Sequence, residues 1–426
     1  MLIHRLSGLG LGIGCRLIDD FLATQPASES LTIIFTTRSS RKSDETLATL
    51  EAHLARHKLN EVRQRIHFQP ENVELTSLLS VRALARRLLA SDLPYIDAVI
   101  LNAGIGGWIG LDWPLAIWTF VTSIRQSTTW PKFKLGAVGL VAKPQFPADV
   151  GALSCEQPLL GELFCANVFG HYMLLHWLMP LLRACRPESP GKIIWMSSIE
   201  AVARHYNPAD HQGLETDAAY EHTKRMTDYL ALTSRNQPAT ARLVEEFCTP
   251  SRDMETHNPR PLTSTPAIGV VHPGICTTTI ISLYWIVHQA YRLAIYMARW
   301  CGSPWANVTS YIGSLSAVWL ALISAQDLEA EEAKEGGGPC KWGTAVDRRG
   351  RASVRRTDVE GWGINGTGEP FGDKWWGGTV GRKSGSKDAT KEDVQQFVAE
   401  GAEVWRKMEA LRKDWEARIR EYETQR

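Results

Sequence analysis

A tyrosine and a lysine four residues apart give this chain its clearest chemical signal. Tyr220 and Lys224 lie within residues 218–234, a run that predicts a helix, and positions four apart share one helix face. A lysine ammonium beside a tyrosine hydroxyl favours the phenolate and is expected to lower the tyrosine pKa. The pair could then donate or accept a proton near neutral pH. A solvated helix face is the alternative, because this spacing alone is a weak motif.

Two serines follow a predicted buried strand upstream of this pair. The apolar run 192–196 predicts a parallel strand that is covered on both faces, and Ser197 and Ser198 come directly after it. Open α/β sheets bind their ligands at the carboxyl ends of the strands. We therefore expect Ser198 to hydrogen-bond a substrate carbonyl, with Ser197 as the alternative for that role.

Small residues mark two further places where a ligand could approach the backbone. A second predicted strand, at 96–101, is followed by Asn102, Ala103 and Gly104, and small residues allow close backbone approach. Near the N-terminus, the Gly-rich stretch 7–14 leads into an amphipathic helix. Backbone N–H groups at a helix N-terminus bind phosphate, so both features favour a dinucleotide site.

A basic residue ends the strand predicted at 31–38. NAD-selective sites often place Asp or Glu at this point for the ribose 2′-hydroxyl, whereas an arginine suits a 2′-phosphate. Arg38 stands there, with Arg41 and Lys42 close behind. The pattern favours NADPH, and a solvated basic loop is the alternative.

In this order the motifs resemble those of the short-chain dehydrogenase/reductase family. The order is a Gly-rich turn, Asn-Ala-Gly, Asn167, Ser198, Tyr-x-x-x-Lys and finally Pro273-Gly274. The resemblance covers about residues 1–280. It implies an α/β fold, namely a doubly wound, Rossmann-like parallel sheet with its ligands at one edge.

The resemblance also implies a role for each matching residue. Tyr220 would be the proton donor, Lys224 would lower its pKa and bind the nicotinamide ribose, and Ser198 would orient the carbonyl. Asn167 would hold a water in the proton relay, with a helix cap or buried amide as the alternative. The residues implied to contact the cofactor are Gly8, Gly10, Arg38, Asn102, Ala103, Gly104, Tyr220, Lys224, Pro273, Gly274 and Thr277.

Within this family the chain is similar to the fungal 3-keto-steroid reductases, whose animal relative is 17-beta-hydroxysteroid dehydrogenase type 7. The similarity rests on residues 11–18, 194–198, 359–363 and 375–378. It implies NADPH-dependent reduction of the 3-ketone left after sterol C4 decarboxylation, in ergosterol biosynthesis. Partners implied are the sterol ketone, a membrane surface and other enzymes of sterol biosynthesis, on the cytosolic face of the endoplasmic reticulum or a lipid droplet. Another short-chain reductase of an apolar ketone, and a non-catalytic scaffold, are the alternatives.

The N-terminus departs from the family pattern, in which a strand precedes Thr-Gly-x-x-x-Gly-x-Gly. One alignment takes Gly10 as the last glycine and leaves almost no first strand. The other takes Gly14 as the last and keeps residues 2–6 as a short strand. We prefer the first alignment because its helix match is longer. The first strand is then truncated, and its two neighbours are expected to lose ladder partners, which is costly for buried backbone groups.

Composition sets wider bounds on the chain. Its 426 residues, 44% of them apolar, can bury a large core, and a net charge of +1 gives no nucleic-acid signal. Eight cysteines include no Cys-x-x-Cys pair, so we expect reduced thiols and no metal. We assign residues 1–326 to the dinucleotide-binding domain, 327–388 to a Gly- and Trp-rich extension, and 389–426 to an amphipathic C-terminal helix. We expect this helix to pack on its own domain, with binding of a partner as the alternative.

Three stretches exceed or interrupt the minimal family domain. The insertion 108–163 could wall an apolar pocket, dock on a membrane or be a surface insertion. Residues 278–324 are assigned as membrane-associated. Within them, 278–300 favours a helix in the membrane plane, with a polar stripe that includes Arg299, and 308–324 predicts a core helix or a second membrane contact. Residues 236–266 are polar and Pro-rich and predict a loop.

Overall fold

The computed structural model describes residues 1–3, 8–147, 157–185, 189–254, 256–257, 259–277, 285–370 and 381–425. Three sequence features lie partly or wholly outside the described residues. They are residues 4–7, the last of which opens the Gly-rich stretch, residues 278–284 of the apolar segment, and the Trp375-Trp376 motif.

Short strands alternate with helices along the chain. The strands are β1 (Leu2–Ile3), β2 (Leu31–Thr37), β3 (Ile66–Asn72), β4 (Ala98–Leu101), β5 (Trp108–Leu111), β6 (Lys134–Gly136), β7 (Lys192–Met196), β8 (Ala267–His272), β9 (Ile275–Cys276), β10 (Ala306–Val308), β11 (Lys341–Val346) and β12 (Ala352–Thr357). The helices are α1 (Leu9–Thr24), α2 (Ser40–Leu54), α3 (Asn60–Arg63), α4 (Leu78–Leu89), α5 (Trp113–Thr122), α6 (Ile124–Thr129), α7 (Glu162–Phe164), α8 (Gly170–Trp177), α9 (Met179–Leu182), α10 (Ala219–Leu232), α11 (Pro238–Cys248), α12 (Trp285–Trp300), α13 (Ser310–Gly313), α14 (Leu315–Leu322), α15 (Ala325–Lys334) and α16 (Lys391–Thr424).

The main sheet has the order β12-β11-β8-β7-β4-β1-β2-β3. All neighbouring pairs from β3 to β11 are parallel, and β12 is antiparallel to β11. Alternate strand residues point to opposite faces, so Ile193 joins the core on one face and Ile194 joins the core on the other. The strand order reverses between β1 and β4, which confirms the doubly wound sheet expected from the sequence.

The first strand is short but keeps its central place. Leu2 pairs with Ile34 of β2 and with Val99 of β4, and Ile3 continues both ladders by one residue. The N-terminal ammonium of Met1 donates a hydrogen bond of 2.8 Å to the Thr32 carbonyl. The neighbouring strands therefore keep ladder partners at these positions, contrary to the expectation that both would lose them.

Helix α1 begins at Leu9, with Gly8 as its N-cap residue. Gly12 and Gly14 consequently lie inside the helix rather than in the turn, which favours the alignment that ends the glycine motif at Gly10. Gly12 is also a packing residue, because a Cβ atom there would come within 2.5 Å of the Ser310 backbone at the start of α13. A residue without a side chain lets the two helices approach this closely.

Two stretches differ from the sequence-based expectation. Helix α11 lies inside the predicted loop 236–266, because Pro238 opens the helix and Val244 and Phe247 are buried. Strand β11 is buried along its whole length and pairs in parallel with β8. Residues 341–357 therefore supply the last two strands of the main sheet, which corrects the expected boundary at residue 326.

The two apolar segments after β9 have different environments. In α14, Ala317, Val318 and Leu320 are buried against the sheet, as expected of a core helix. In α12, Trp285 and Leu293 are exposed, whereas Arg299 is buried. The Arg299 guanidinium donates hydrogen bonds of 2.8 and 2.7 Å to carbonyls of β10, so the expected polar stripe does not include it.

Among the described residues, no single helix is both long enough and apolar enough to cross a bilayer. The pair Ser310–Leu322 and Ala325–Lys334, which is bent by 118°, meets that criterion jointly.

The C-terminal helix α16 packs on its own domain through a buried polar network. Arg412 donates hydrogen bonds of 2.7 Å to both Glu409 and Glu416. Glu409 accepts a bond of 2.7 Å from the Tyr172 hydroxyl, and Glu416 accepts one of 2.9 Å from the Trp177 indole. The helix therefore covers α8, the helix that carries these aromatic side chains.

We predict that Arg412→Met lowers the free energy of unfolding by about 3–5 kcal/mol, because it leaves two buried carboxylates without their cation. Urea unfolding monitored by circular dichroism measures the loss. The control is Arg418→Met, whose partner Asp414 is 45% exposed. A surface pair of this kind contributes about 0–1 kcal/mol. Equal losses in the two variants would contradict the role of the buried network.

Candidate active site

A cleft of about 410 Å³ opens along the carboxyl ends of four central strands. Its walls contain residues that follow β1, β4, β7 and β8, the strands on either side of the switch point. The sequence-predicted residues that line it are Gly8, Asn102, Gly104, Ser197, Ser198, Tyr220, Lys224, Pro273 and Gly274. Those that do not line it are Gly10, Arg38, Ala103, Asn167 and Thr277.

The side chains of Tyr220 and Ser198 both line the cleft, and the Ser198 hydroxyl acts to lower the pKa of Tyr220. Tyr220 lies in the first turn of α10, and Ser198 follows the end of β7. The backbone N–H of Glu200 donates a bond of 3.1 Å to Ser198 Oγ, which fixes the serine side chain. Two hydroxyl groups that line one cleft can hold one carbonyl oxygen between them.

The pKa of Tyr220 is raised above its ordinary value, the opposite of the direction expected from the sequence. Burial is the main cause, and the carboxylates of Glu200 and Glu221 act in the same direction. Lys224 does not reverse the shift, because its ammonium donates a 2.7 Å hydrogen bond to the Met196 carbonyl and lies 5.5 Å from the phenol ring centre. The structure thus keeps Tyr220 in its protonated form.

Lys224 lines the cleft, and its pKa is lowered. Burial lowers its pKa to about 8, and the Lys341 ammonium acts in the same direction, while the Asp228 carboxylate opposes both. Its ammonium donates a hydrogen bond to the Met196 carbonyl at the end of β7. The remaining N–H groups of an ammonium can serve a bound ligand, since lysine has three.

Ser197 belongs to the support of the site rather than to its reactive surface. Its hydroxyl donates a bond of 2.6 Å to Asp228 Oδ1 and accepts one of 3.1 Å from Lys341 Nζ. Lys341 also donates bonds of 2.7 Å to Asp228 Oδ2 and to the carbonyl of Ser198. The structure therefore favours Ser198 over Ser197 as the serine that faces a substrate.

Asn167 braces the strand-end loop and does not face the cleft. It lies in a π-helical turn, Cys165–Phe169, just before α8, and such turns are frequent at functional sites. Its amide accepts a bond of 2.8 Å from Ile105 N–H and donates bonds to the Ile105 carbonyl and to Thr223 Oγ1. Both ends of the amide are thus engaged with the protein, and the water-holding role implied by the resemblance stays a prediction.

The backbone on both sides of the cleft fits a dinucleotide. Gly8 has a φ of 58° and stands with Leu9 at the N-terminus of the 16-residue helix α1, which faces the cleft. A Cβ atom at Gly104 would lie 2.8 Å from the Asn167 amide, and one at Gly274 would lie 2.5 Å from the Trp305 carbonyl. N–H groups at a helix N-terminus are what a pyrophosphate requires, and the two glycines let the loops that line the cleft pack closely.

Arg38 and Thr277, two of the expected cofactor contacts, do not line the cleft. Arg38 is exposed just after β2, the strand next to β1, and no ion pair joins it to a described residue. Thr277 hydrogen-bonds the Val308 carbonyl through both its N–H and its hydroxyl. Arg38 thus remains available to a ligand, whereas Thr277 is engaged with β10.

The insertion and α12 supply the rest of the cleft wall. The cleft is also lined by Trp108, Thr128, Pro131 and Lys134 of the insertion, by Glu200, and by Tyr291 of α12. The position of Glu200, two residues after Ser198, was a signal that sequence reasoning could have used. Lys134 and Tyr291 carried none, because only the fold brings their elements to the strand ends.

Comparison with curated proteins decides which family this site belongs to. The 3-keto-steroid reductase of Aspergillus fumigatus is 42% identical over 439 residues, which cover 98% of this chain and 94% of that protein. This chain belongs to the 3-keto-steroid reductase family. That family is part of the short-chain dehydrogenases/reductases, so the resemblance seen in the sequence is confirmed.

A second relative agrees with this assignment. The 3-keto-steroid reductase of Gibberella zeae is 37% identical, and the match covers 96% of this chain and 92% of that protein.

No protein-family model matches the chain. Among solved structures, a short-chain type dehydrogenase/reductase from Mycobacterium ulcerans has a TM-score of 0.42 and 14% identity, over 76% of this chain and 84% of that one.

Proposed function

We propose that this protein reduces a 3-keto steroid to the 3-hydroxysterol with NADPH, in the sterol C4 demethylation of ergosterol biosynthesis. The observation that carries the proposal is that Ser198, Tyr220 and Lys224 line one cleft at the carboxyl ends of the central strands. The name of the relative at 42% identity supports the class of substrate.

The residues of the chain bind, orient and protonate the ketone. Ser198 Oγ and Tyr220 Oη would hold the carbonyl oxygen, and Tyr220 would transfer its phenolic proton to that oxygen as the alcohol forms. When bound in the cleft, NADPH would supply the hydride. A raised pKa suits Tyr220 for this direction of reaction, because an acid must be protonated before it can donate.

The preference for NADPH rests on Arg38. Its exposed guanidinium stands after β2, next to the strand whose end meets the N-terminus of α1. An arginine at this position can pair with a ribose 2′-phosphate. Gly8 and Leu9 would hold the pyrophosphate, and Lys224 would hold the nicotinamide ribose.

We predict that Tyr220→Phe lowers kcat for a 3-keto steroid by about 10²–10⁴-fold, the usual contribution of a positioned proton donor. The dissociation constant for NADPH should stay unchanged, because the phenyl ring still fills the same space. Steady-state NADPH oxidation and fluorescence titration measure the two quantities.

The control for this variant is Tyr206→Phe, since Tyr206 is outside the cleft and should leave kcat unchanged. Wild-type turnover in Tyr220→Phe would remove Tyr220 from the mechanism. An NADPH titration of the wild-type chain that shows no binding would favour a scaffold over an enzyme.

We predict that Glu200→Gln moves the pH dependence of the reverse reaction, oxidation of the hydroxysterol, to lower pH. That direction needs the Tyr220 phenolate, and the Glu200 carboxylate raises the pKa of Tyr220. The pKa of Glu200 is itself raised to about 7, first by burial and then by Glu221. The carboxylate is therefore ionised through the alkaline range, and its removal should ease formation of the phenolate.

The measurement is kcat/KM for hydroxysterol oxidation with NADP⁺ across the alkaline range. Glu215→Gln is the matched control, because Glu215 is exposed and does not line the cleft. An unchanged profile in Glu200→Gln, or a shift to higher pH, would show that this carboxylate does not control Tyr220.

We also propose that the protein works on the cytosolic surface of the endoplasmic reticulum or of a lipid droplet. Exposed apolar side chains on α5 and on α12, together the apolar surface, support this location. Its exposed side chains are Trp113, Ile117, Trp118, Val121, Trp285, Leu293, Met297 and Trp300. Helix α6 packs against both helices.

The position of this apolar surface suits an enzyme that takes its substrate from lipid. Thr128 of α6 and Tyr291 of α12 line the cleft, so the surface stands beside its wall. Tryptophan rings favour the membrane–water interface, and the exposed Arg292 on α12 can meet lipid headgroups. A helix that lies in the membrane plane has this composition.

We predict that the double variant Trp118→Ser/Trp285→Ser binds phosphatidylcholine vesicles more weakly by about tenfold or more. Burial of one large apolar side chain contributes about 1.5–3 kcal/mol, and about 1.4 kcal/mol is a factor of ten. Vesicle flotation measures the bound fraction. Leu59→Ser is the control, since Leu59 is 68% exposed outside this surface, and equal binding by all three proteins would contradict the proposal.

A further inference from the structure

Lys134 makes an unusual set of contacts beside the reactive tyrosine. Its ammonium donates a hydrogen bond of 2.8 Å to Glu200 Oε2 and a second, short one to Glu221 Oε1. It also lies 4.3 Å from the centre of the Trp108 ring. Two carboxylates and an aromatic face thus account for the three N–H groups of one ammonium.

These contacts are nearly closed to solvent. The side chains of Lys134, Glu200 and Glu221 are 7%, 13% and 8% exposed. Burial alone would lower the pKa of Lys134, yet the two carboxylates outweigh it and raise the pKa. The ammonium therefore stays charged, and loss of one partner would leave an uncompensated buried charge.

Through these two carboxylates, Lys134 joins the insertion to the elements that carry Ser198 and Tyr220. Glu221 follows Tyr220 on α10, and Glu200 follows Ser198, whereas Lys134 begins β6 of the insertion. Strand β6 also approaches α10 through Gly136, where the backbone of Asp217 leaves no space for a side chain. The β5–β6 hairpin is therefore locked onto the start of α10.

The contacts of the β5–β6 hairpin with α10 place Trp108 beside Tyr220. Trp108 lies on β5 opposite Gly136 of β6. Its indole is 4.9 Å from the Tyr220 ring, centre to centre, at an angle of 57°. Trp108 and Tyr220 both line the cleft, so the indole forms an apolar wall directly beside the phenol.

We propose that Lys134 is a positioning residue that holds Trp108 against Tyr220, and that Trp108 is the surface on which a flat, apolar ring bearing the ketone is placed. The inference rests on the proposed function and adds the determinant of its substrate class. Aromatic walls favour flat apolar rings because they bury a large area at little cost in conformational entropy. A branched or open-chain ketone would gain less from this wall.

Equilibrium binding separates this inference from the proposed reaction. The ligand is a 3-keto steroid, titrated into the full-length protein with NADP⁺ so that no reduction occurs. Trp108→Ala and Lys134→Met should each weaken steroid binding by about tenfold or more, the loss expected when an aromatic anchor is truncated or displaced. The double variant should be no weaker than Trp108→Ala alone, because Lys134 acts through the indole.

Matched controls exclude a loss of fold. Ile109→Ala removes an apolar side chain that is 74% exposed on the same strand, and Lys132→Met removes an exposed lysine two residues away. Both should bind the steroid as the wild type does. Lys134→Arg should restore binding, since a guanidinium can satisfy two carboxylates.

Each outcome decides at least one of the two proposals. Wild-type affinity in Trp108→Ala would overturn the wall, and wild-type affinity in Lys134→Met or additive losses in the double variant would overturn the positioning role of Lys134. Steroid binding without turnover in the wild-type protein would overturn the reaction and leave the wall standing. A wild-type chain that binds no steroid would overturn both.

Discussion

A buried ion pair between Lys341 and Asp228 is the contact on which the active site depends. The pair joins β11 to α10, and Lys341 also holds the Ser197 hydroxyl and the Ser198 carbonyl at the end of β7. Both side chains are almost fully buried. Loss of one partner from such a pair leaves an uncompensated charge, so the sheet and the helix cannot separate here without a large cost. Ser198 and Tyr220 line the same cleft because Lys341 joins the end of β7 to α10, the elements that carry them.

The electrostatics around Tyr220 suit reduction better than oxidation. A lysine close to a tyrosine is usually taken to favour the phenolate, but here burial and two carboxylates keep the phenol protonated. Lys224 instead turns to the backbone of β7 and has a pKa of about 8. The protonation state of Tyr220 is thus set by burial, by Glu200 after Ser198 and by Glu221 on α10, as well as by the Tyr-x-x-x-Lys motif itself.

Local patterns in the sequence were enough to predict the kind of sheet and part of the site. Apolar runs located β2, β4 and β7 to within two residues at each end, and strand-end position alone placed Ser198 in the cleft. The contacts made by Lys134 could not be predicted, because its partners lie 66 and 87 residues away. Strand β11 was missed for a related reason. Its glycine and lysine lower its strand character, and only pairing with β8 and the ion pair to Asp228 explain why it is buried.

The most direct test of this account is a crystal structure of the protein with NADP⁺ and a 3-keto steroid bound. The account predicts that the ketone oxygen lies within hydrogen-bond reach, about 2.6–3.2 Å, of both Ser198 Oγ and Tyr220 Oη, with the Lys341–Asp228 pair intact behind them. A steroid whose ketone oxygen contacts neither hydroxyl, or a complex in which Ser198 and Tyr220 have moved apart, would contradict it.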